Sequence, residues 1–349
     1  MKIALLTIWH EKNYGAELQA YATIKVLQNL GHEVEMIDIR LSDCINSNLN
    51  SKISRVITFY SPCNRKFNAF WNKYIPKTRR YRSLKEIQSN PPIADVYLVG
   101  SDQVWNPDIT KSFSELYFLN FGATDVKRIS YASSFGADNW QFDTLTNNVR
   151  QLLERFNSIS CREDSGVDIL NNVFKQKAFS VIDPTLLLGE FSELTGKPNY
   201  RNSLVFYPLD IDPELEVVAT RLAKELNLDL VNNNKKKYIC NKLLWDRISV
   251  EDWVKNIAEA EFVITRSFHG LMFSLIYQKQ FVVIANTFGR NTRLESILKK
   301  LGLIDRLYTS FDQLFAEKPW FKKIDYDIIT PRINNLRSES LDFLKYALK

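Results

Sequence analysis

Residues 2–39 read KIALLTIWHEKNYGAELQAYATIKVLQNLGHEVEMIDI, and three segments of that run decide the fold class. Lys2 to Ile8 is an apolar run of strand length. Ala16 to Leu30 predicts a helix, with Ala20, Ile24 and Leu27 on one stripe and Gly31 at the stop position. Glu33 to Ile39 predicts a second strand. A strand, a loop, a helix and another strand make a βαβ start, which implies a parallel sheet.

The same alternation continues. Leu41 to Pro92 is polar and reads as an insertion covering the sheet or a cleft, with helices over Lys52–Tyr60 and Lys66–Lys73. Strands are expected at Ala94–Val99, Arg128–Ser133, Ser158–Cys161 and Ala178–Ile182, and a helix at Phe142–Phe156. Asp183-Pro184 reads as a strand stop rather than a site. A linker, Gly189 to Asn202, carries Gly196 and Pro198. Strands then recur at Ser203–Tyr207, Leu228–Asn232, Phe262–Thr265 and Phe281–Ala285. Between and after them run helices at Pro213–Leu226, Val250–Ala258, Leu271–Tyr277 and Thr292–Lys300. The expected fold is α/β, with two Rossmann-like open parallel-sheet domains facing a cleft. They span residues 1–188 and 203–330, and a last helix, 333–348, crosses back to complete the first.

The bulk properties narrow the function. The 349 residues carry a formal net charge of +6, too weak to argue for nucleic acid. That balance suits an enzyme of anionic substrates or one that visits an acidic membrane surface. The basic clusters Lys77, Arg79, Arg80, Arg82 and Lys235, Lys236, Lys237 read as solvated loops. Cys44, Cys63, Cys161 and Cys240 show no CxxC spacing, so no disulfide framework or zinc site is expected. No run reaches the ~18 apolar residues that span a bilayer. The first apolar segment breaks too early for a signal-peptide core, and a cytoplasmic protein is expected.

Ligands of open α/β sheets bind beyond the carboxyl ends of strands. Five such ends carry polar or glycine-containing turns: Asn13-Tyr14-Gly15, Gly100-Ser101-Asp102-Gln103, Ser134-Phe135-Gly136, Arg162-Glu163-Asp164-Ser165 and Arg266-Ser267-Phe268-His269-Gly270. In the last, a guanidinium and an imidazole flank the amides of a helix start, a natural seat for phosphate or carboxylate. The bland alternative is Ser267 as a helix cap. Arg162 reads either as a second anion clamp or as a local ion pair with Glu163 or Asp164. Asp102 is placed to accept a proton from a hydroxyl, Gln103 to orient a sugar and Trp105 to stack on its ring. The alternative there is an Asx-type turn beside a core tryptophan. Gly15 permits close backbone approach to a ligand. No Walker A, H-E-x-x-H, G-x-S-x-G or complete G-x-G-x-x-G is present.

Taken in order, these pieces resemble the polysaccharide pyruvyl transferases. The matching segments are Asn13 to Tyr21, Gly100 to Asn106, Tyr131 to Gly136, Arg162 to Gly166, Asp183 to Leu186 and Ser267 to Gly270. The resemblance implies a two-lobed, GT-B-like fold. It also implies transfer of a carboxyethylidene group from phosphoenolpyruvate, as co-substrate, to two hydroxyls of a sugar. Donor contacts are implied at Arg162 and around His269, with Arg266, Ser267 and Gly270. Many members carry an arginine two residues before the histidine, where this chain has Ser267, and Arg266 stands one residue earlier. The expected roles are His269 as acid, Asp102 as base and Arg162 as catalytic cation. Acceptor contacts are expected from Asn13, Tyr14, Gly15, Ser101, Asp102, Gln103, Trp105 and Ser134, without a metal or further cofactor. A lipid-linked oligosaccharide acceptor at the inner membrane face is compatible with the basic loops. Two other readings stay open: a glycosyltransferase of the same fold using a nucleotide sugar, and a glycan-binding relative without turnover.

Overall fold

The central strands of both sheets in the computed structural model are buried along nearly their whole length, as expected of parallel sheets covered on both faces. The structure describes residues 1–40, 61–209, 212–235, 237–239, 244–286 and 291–349. The helix expected over Lys52–Tyr60, and Cys44, Lys236 and Cys240, lie outside them. The chain divides into two compact units. One holds residues 1–40, Trp71–Leu188 and Asn334–Lys349; the other holds residues 61–70 and Gly189–Ile333.

In the first unit, β1 (Lys2–Leu6) leads through α1 (Tyr14–Asn29) to β2 (Glu33–Asp38). Then come β3 (Lys77–Arg80), β4 (Val96–Val99) and β5 (Lys127–Ser130). The sheet order is β3-β2-β1-β4-β5, all parallel. Two short strands, β6 (Ser160–Cys161) and β7 (Phe179–Ser180), pair in parallel. Single bridges Ile129–Ser158 and Ser133–Cys161 connect β6 to the end of β5. The order reverses between β1 and β4, so the topological switch point lies at Thr7 and Gly100. The two chain ends are tight there: a Cβ on Gly100 would stand 3.1 Å from that of Thr7.

The basic cluster at Lys77–Arg80 is corrected by this topology. It is not a loop but the edge strand β3. Charged side chains on an edge discourage further strand pairing. The polar 41–92 segment is therefore more than a cover, since it completes the sheet.

The second unit contains β8 (Ser203–Tyr207), α2 (Pro213–Leu226), β9 (Asp229–Asn232) and a small antiparallel ribbon of β10 (Lys237–Ile239) with β11 (Leu244–Asp246). It continues with α3 (Val250–Glu259), β12 (Phe262–Thr265), α4 (Phe268–Ile276), β13 (Gln280–Ile284) and β14 (Leu307–Tyr308). The parallel order is β14-β13-β12-β8-β9, with the switch point between β8 and β12. The final helix spans Tyr326–Ala347. Its last turns belong to the first unit, where Ser340 Oγ accepts the Ile182 amide (3.0 Å) and Arg337 Nε donates to the Leu186 carbonyl (2.7 Å). Among the described residues no helix is long and apolar enough to cross a membrane.

Candidate functional site

In the first unit the strand-end turns are knitted into one buried network. Asp102, Ser133 and Cys161 stand side by side through parallel bridges. Arg162, at the end of β6, donates through Nη1 to Asp183 Oδ2 (2.7 Å) and to Ser101 Oγ (3.3 Å). Ser101 Oγ in turn donates to Asp183 Oδ2 (3.1 Å). Asp183 Oδ1 accepts from the Thr185 amide (2.9 Å) and hydroxyl (2.6 Å), which starts the helix Pro184–Leu188. The second guanidinium nitrogen, Nη2, lies 3.5 Å from Asp102 Oδ1. Thr7 joins the set by donating to the Ser101 carbonyl (2.6 Å), and Gln19 Nε2 donates to Thr7 Oγ1 (3.0 Å).

Burial grades these groups. The side chains of Arg162 and Asp183 are 2% and 0% exposed, and that of Asp102 is 16% exposed. Asp102 is thus the most exposed of the three. It also sits in the left-handed region (φ 73°), and its Oδ1 accepts the amide of the next residue, Gln103, at 2.9 Å. Burial alone would lower the Arg162 pKa. The carboxylates of Asp183, Asp102 and Glu163 outweigh it, so the guanidinium is held above its ordinary value. Arg162 is therefore an ion-paired residue, and the carboxylates it contacts at 2.7 and 3.5 Å, Asp183 and Asp102, come from other turns.

Glu163 carries a function that sequence reasoning missed. Its fully buried Oε1 accepts Ser134 Oγ (2.9 Å), the Phe135 amide (2.9 Å) and the Gly136 amide (3.3 Å), tying the β5 turn to the β6 turn. Gly136 is required: its φ is +63°, and a Cβ there would lie 2.1 Å from Gln103 Oε1. Ser134 is buried and hydrogen-bonded to Glu163, a brace rather than an exposed acceptor contact. Asp183, read as a strand stop, is the anchor of the network. The hints in the sequence were the Asp-Pro-Thr pattern, a capping arrangement, and its place among the segments that match the family.

Trp105 is corrected more sharply. Its indole is fully buried, donates to the Tyr117 carbonyl (3.0 Å) and stacks on Phe118 at 5.4 Å. No ring face remains for a sugar. At α1, Asn13 is the N-cap, accepting from the Gly15 (3.0 Å) and Ala16 (3.5 Å) amides, while Tyr14 and Gly15 are buried. Their link to the network runs through Gln19 and Thr7.

In the second unit, the turn after β12 places Ser267 as the N-cap of α4, with Oγ accepting the Gly270 amide (3.3 Å). The helix thus begins at Phe268, earlier than Leu271, and His269 stands in its first turn. The Gly270 amide is used by the cap and is not a donor contact. Gly270 serves packing instead, since a Cβ would stand 2.3 Å from Thr265 Oγ1. Thr265 Oγ1 itself donates to the Tyr207 carbonyl (2.7 Å) and accepts the Ser267 amide (3.0 Å). Arg266 turns from the helix start. Its Nε pairs with Asp212 Oδ2 at 2.7 Å, and Nη1 donates to the Ala285 carbonyl. Asp212 is also the N-cap of α2, through Oδ1 to the Leu215 amide (2.9 Å). Arg266 therefore ties β12 to the ends of β8 and β13. His269 is 7% exposed, with its ring edge-on to Phe268, whose face lies 5.7 Å from the Arg293 guanidinium carbon.

Comparison with known proteins agrees with this architecture. The family model described as polysaccharide pyruvyl transferase matches residues 13–287. No curated protein matches the sequence. Among solved structures, a UDP-N-acetylglucosamine 2-epimerase from Rickettsia bellii aligns with a TM-score of 0.54 at 11% identity, over 99% of this chain and 97% of that one. The S. aureus MnaA–UDP co-structure aligns with 0.55 at 12% identity, over 99% and 96%. The UDP-GlcNAc 2-epimerase from Neisseria meningitidis bound to UDP-GlcNAc aligns with 0.52 at 11% identity, over 100% and 99%. At such identities the likeness concerns the fold alone, which is α/β and GT-B-like.

Proposed function

The chain belongs to the polysaccharide pyruvyl transferase family, and from that premise we propose that it moves the carboxyethylidene group of phosphoenolpyruvate onto two hydroxyls of a sugar. The sugar belongs to a surface polysaccharide or glycoconjugate under synthesis. Protonation at C3 of the enol makes C2 electrophilic. One hydroxyl oxygen bonds to C2, the C2–O bond to phosphate breaks, and the second hydroxyl closes the ketal. Of the two hydroxyl protons lost, one replaces the proton given to C3 and the other leaves with phosphate. That sequence needs an acid, a base and fixed positive charge for the departing anion.

The observation that supports the reading best is the uneven grip of Arg162. Its contact with Asp183 is short (2.7 Å), and its contact with Asp102 is long (3.5 Å). A charge-assisted pair at full strength sits at about 2.7–2.9 Å. The Asp102 contact is the exchangeable one. When an anion of the donor takes its place, Asp102 is released to accept the proton of an attacking hydroxyl. His269, in the first turn of α4, is the proposed acid, favoured there by the dipole of a helix start for an anionic substrate. Arg266, committed to Asp212, acts by holding this turn. The lipid-linked form of the acceptor and a location at the inner membrane face are part of the same proposal.

The test is phosphate release from phosphoenolpyruvate, measured with a panel of free, nucleotide-linked and lipid-linked sugars. Release that requires an acceptor, and a product heavier by a carboxyethylidene group, are expected. His269→Ala is expected to abolish turnover while the circular dichroism spectrum and melting temperature stay those of the parent. Thermal stabilisation by UDP-GlcNAc and none by phosphoenolpyruvate would overturn the proposal.

A further inference from the structure

The second unit has a depression on the edge opposite His269. It lies at the amino ends of β8, β12 and β13, has a volume of about 380 Å3, and is lined by Tyr200, Arg201, Glu261, Gln278 and Lys279 among others. Lys279 is the unusual member. Its side chain belongs to a residue only 5% exposed, and its ammonium donates no hydrogen bond among the described residues. It lies 4.7 Å from the centre of the Tyr200 ring, which is itself 77% exposed. Cation–π attraction is a small return for desolvating an ammonium. The nearest carboxylate, Glu259, is engaged elsewhere. It takes the Arg201 guanidinium at 2.9 Å, the Asn199 amide at 3.1 Å and Lys255 at 3.9 Å. Burial accordingly pushes the Lys279 amine down to about 8, against a partial upward pull from Glu259. A largely buried lysine that forms no salt bridge among the described residues, on the wall of an open cavity beside an exposed aromatic ring, suits an anionic ligand.

We propose that this depression is a second glycan site, which takes an acidic sugar chain with one carboxylate at Lys279 and a neighbouring ring on Tyr200. The inference rests on the transferase reading in one respect, that each turnover would leave a carboxylate on the sugar the protein meets. The chemistry of the pocket stands without it. Tyr200 offers the face opposite Lys279, as aromatic rings do for sugars. Arg201, with its side chain 54% exposed, adds a second cation at the rim. The charged and titratable groups facing Lys279 are Glu259 from α3, Arg201 and Tyr200 from the linker before β8, Glu261 before β12, and Tyr326, whose hydroxyl donates to the Lys279 carbonyl.

The experiment is calorimetric titration of the full chain with an α-1,4-linked tetramer of galacturonic acid, and with the neutral galactose tetramer of the same linkage. The acidic tetramer should bind and the neutral one should bind at least about tenfold more weakly, the scale of one charge-assisted hydrogen bond. Lys279→Met should erase that preference, and Tyr200→Ala should weaken both ligands. Affinity for the acid should fall as pH rises through about 8, because only the protonated amine attracts the carboxylate. Lys279→Arg should bind without that fall. Equal binding of the two tetramers, or an unchanged preference in Lys279→Met, would sink the proposal. Phosphate release with a monosaccharide acceptor should be the same in Lys279→Met as in the parent. If no variant releases phosphate yet the binding pattern holds, the transferase reading alone is lost.

Discussion

Removing the Asp183 carboxylate is the sharpest test of the network in the first unit. Asp183→Ala deletes the anion 2.7 Å from Arg162 and the acceptors of Ser101 Oγ, the Thr185 amide and the Thr185 hydroxyl. Arg162 cannot turn to solvent: its side chain is 2% exposed, and its contact with the Asp102 carboxylate is longer, at 3.5 Å. Breaking a buried pair from one side costs about 3–5 kcal/mol, because a desolvated charge is left behind. For a unit of this size that corresponds to a melting-point drop of roughly 6–20 °C. The assay is thermal unfolding followed by far-ultraviolet circular dichroism, with urea unfolding at room temperature alongside. Arg162→Met combined with Asp183→Leu should recover the part of the loss due to the stranded charge, since an apolar pair can replace a buried ion pair, but not the part due to the three donors on Ser101 and Thr185. It should not recover phosphate release. A stability change below about 0.5 kcal/mol in Asp183→Ala, the range of ordinary surface substitutions, would refute the reasoning.

Other outcomes follow from the same geometry. Burial raises the Glu17 carboxyl from near 4.5 to about 8, against hydrogen bonds from Trp71 Nε1 and the His10 amide. The folded state therefore keeps a proton that the unfolded chain releases. Stability from this group is full below pH 4.5 and is lost as pH rises toward 8, and Glu17→Gln should flatten that decline in urea titrations across the range. His10 has the opposite sense. Burial first, and Arg40 second, lower it from 6.5 to about 2, so its contribution is present above 6.5 and lost on acidification, which His10→Phe should remove. Gly270→Ala should destabilise by about 1–3 kcal/mol through collision with Thr265, read by chemical denaturation. Trp105→Ala should cost about 3–5 kcal/mol while leaving the KM for a sugar acceptor unchanged in a preparation kept well below its melting point.

The proposed chemistry and the stability of the first unit draw on the same residues. Asp102 adopts a left-handed backbone and remains the most accessible charge beside a sealed ion pair. Its backbone is tied to the next turn by the bridge to Ser133 and by the Ser134 amide donating to the Asp102 carbonyl (3.0 Å), and Glu163 braces that turn through Ser134 Oγ and two amides. Held this way, Asp102 would lose little entropy in the proposed role of base toward a hydroxyl.

By itself the sequence determined the alternation of strands and helices and the parallel class of both sheets. It also determined the polar turns at strand ends, because each depends on local periodicity and on nearby glycines and caps. Ser267 capping α4, weighed there as the alternative reading, belongs to that legible set, since a cap's acceptor lies within three residues of its donor. The tertiary structure alone decided which charges meet. Arg162 finds Asp183, 21 residues away, and Arg266 finds Asp212. It also decided that the basic run Lys77–Arg80 forms an edge strand and that Trp105 lies inside the core. The physical reason is common to all four. A charge or a large ring is indifferent to its sequence neighbours, and its partner is fixed only when strand order and register bring distant turns within reach.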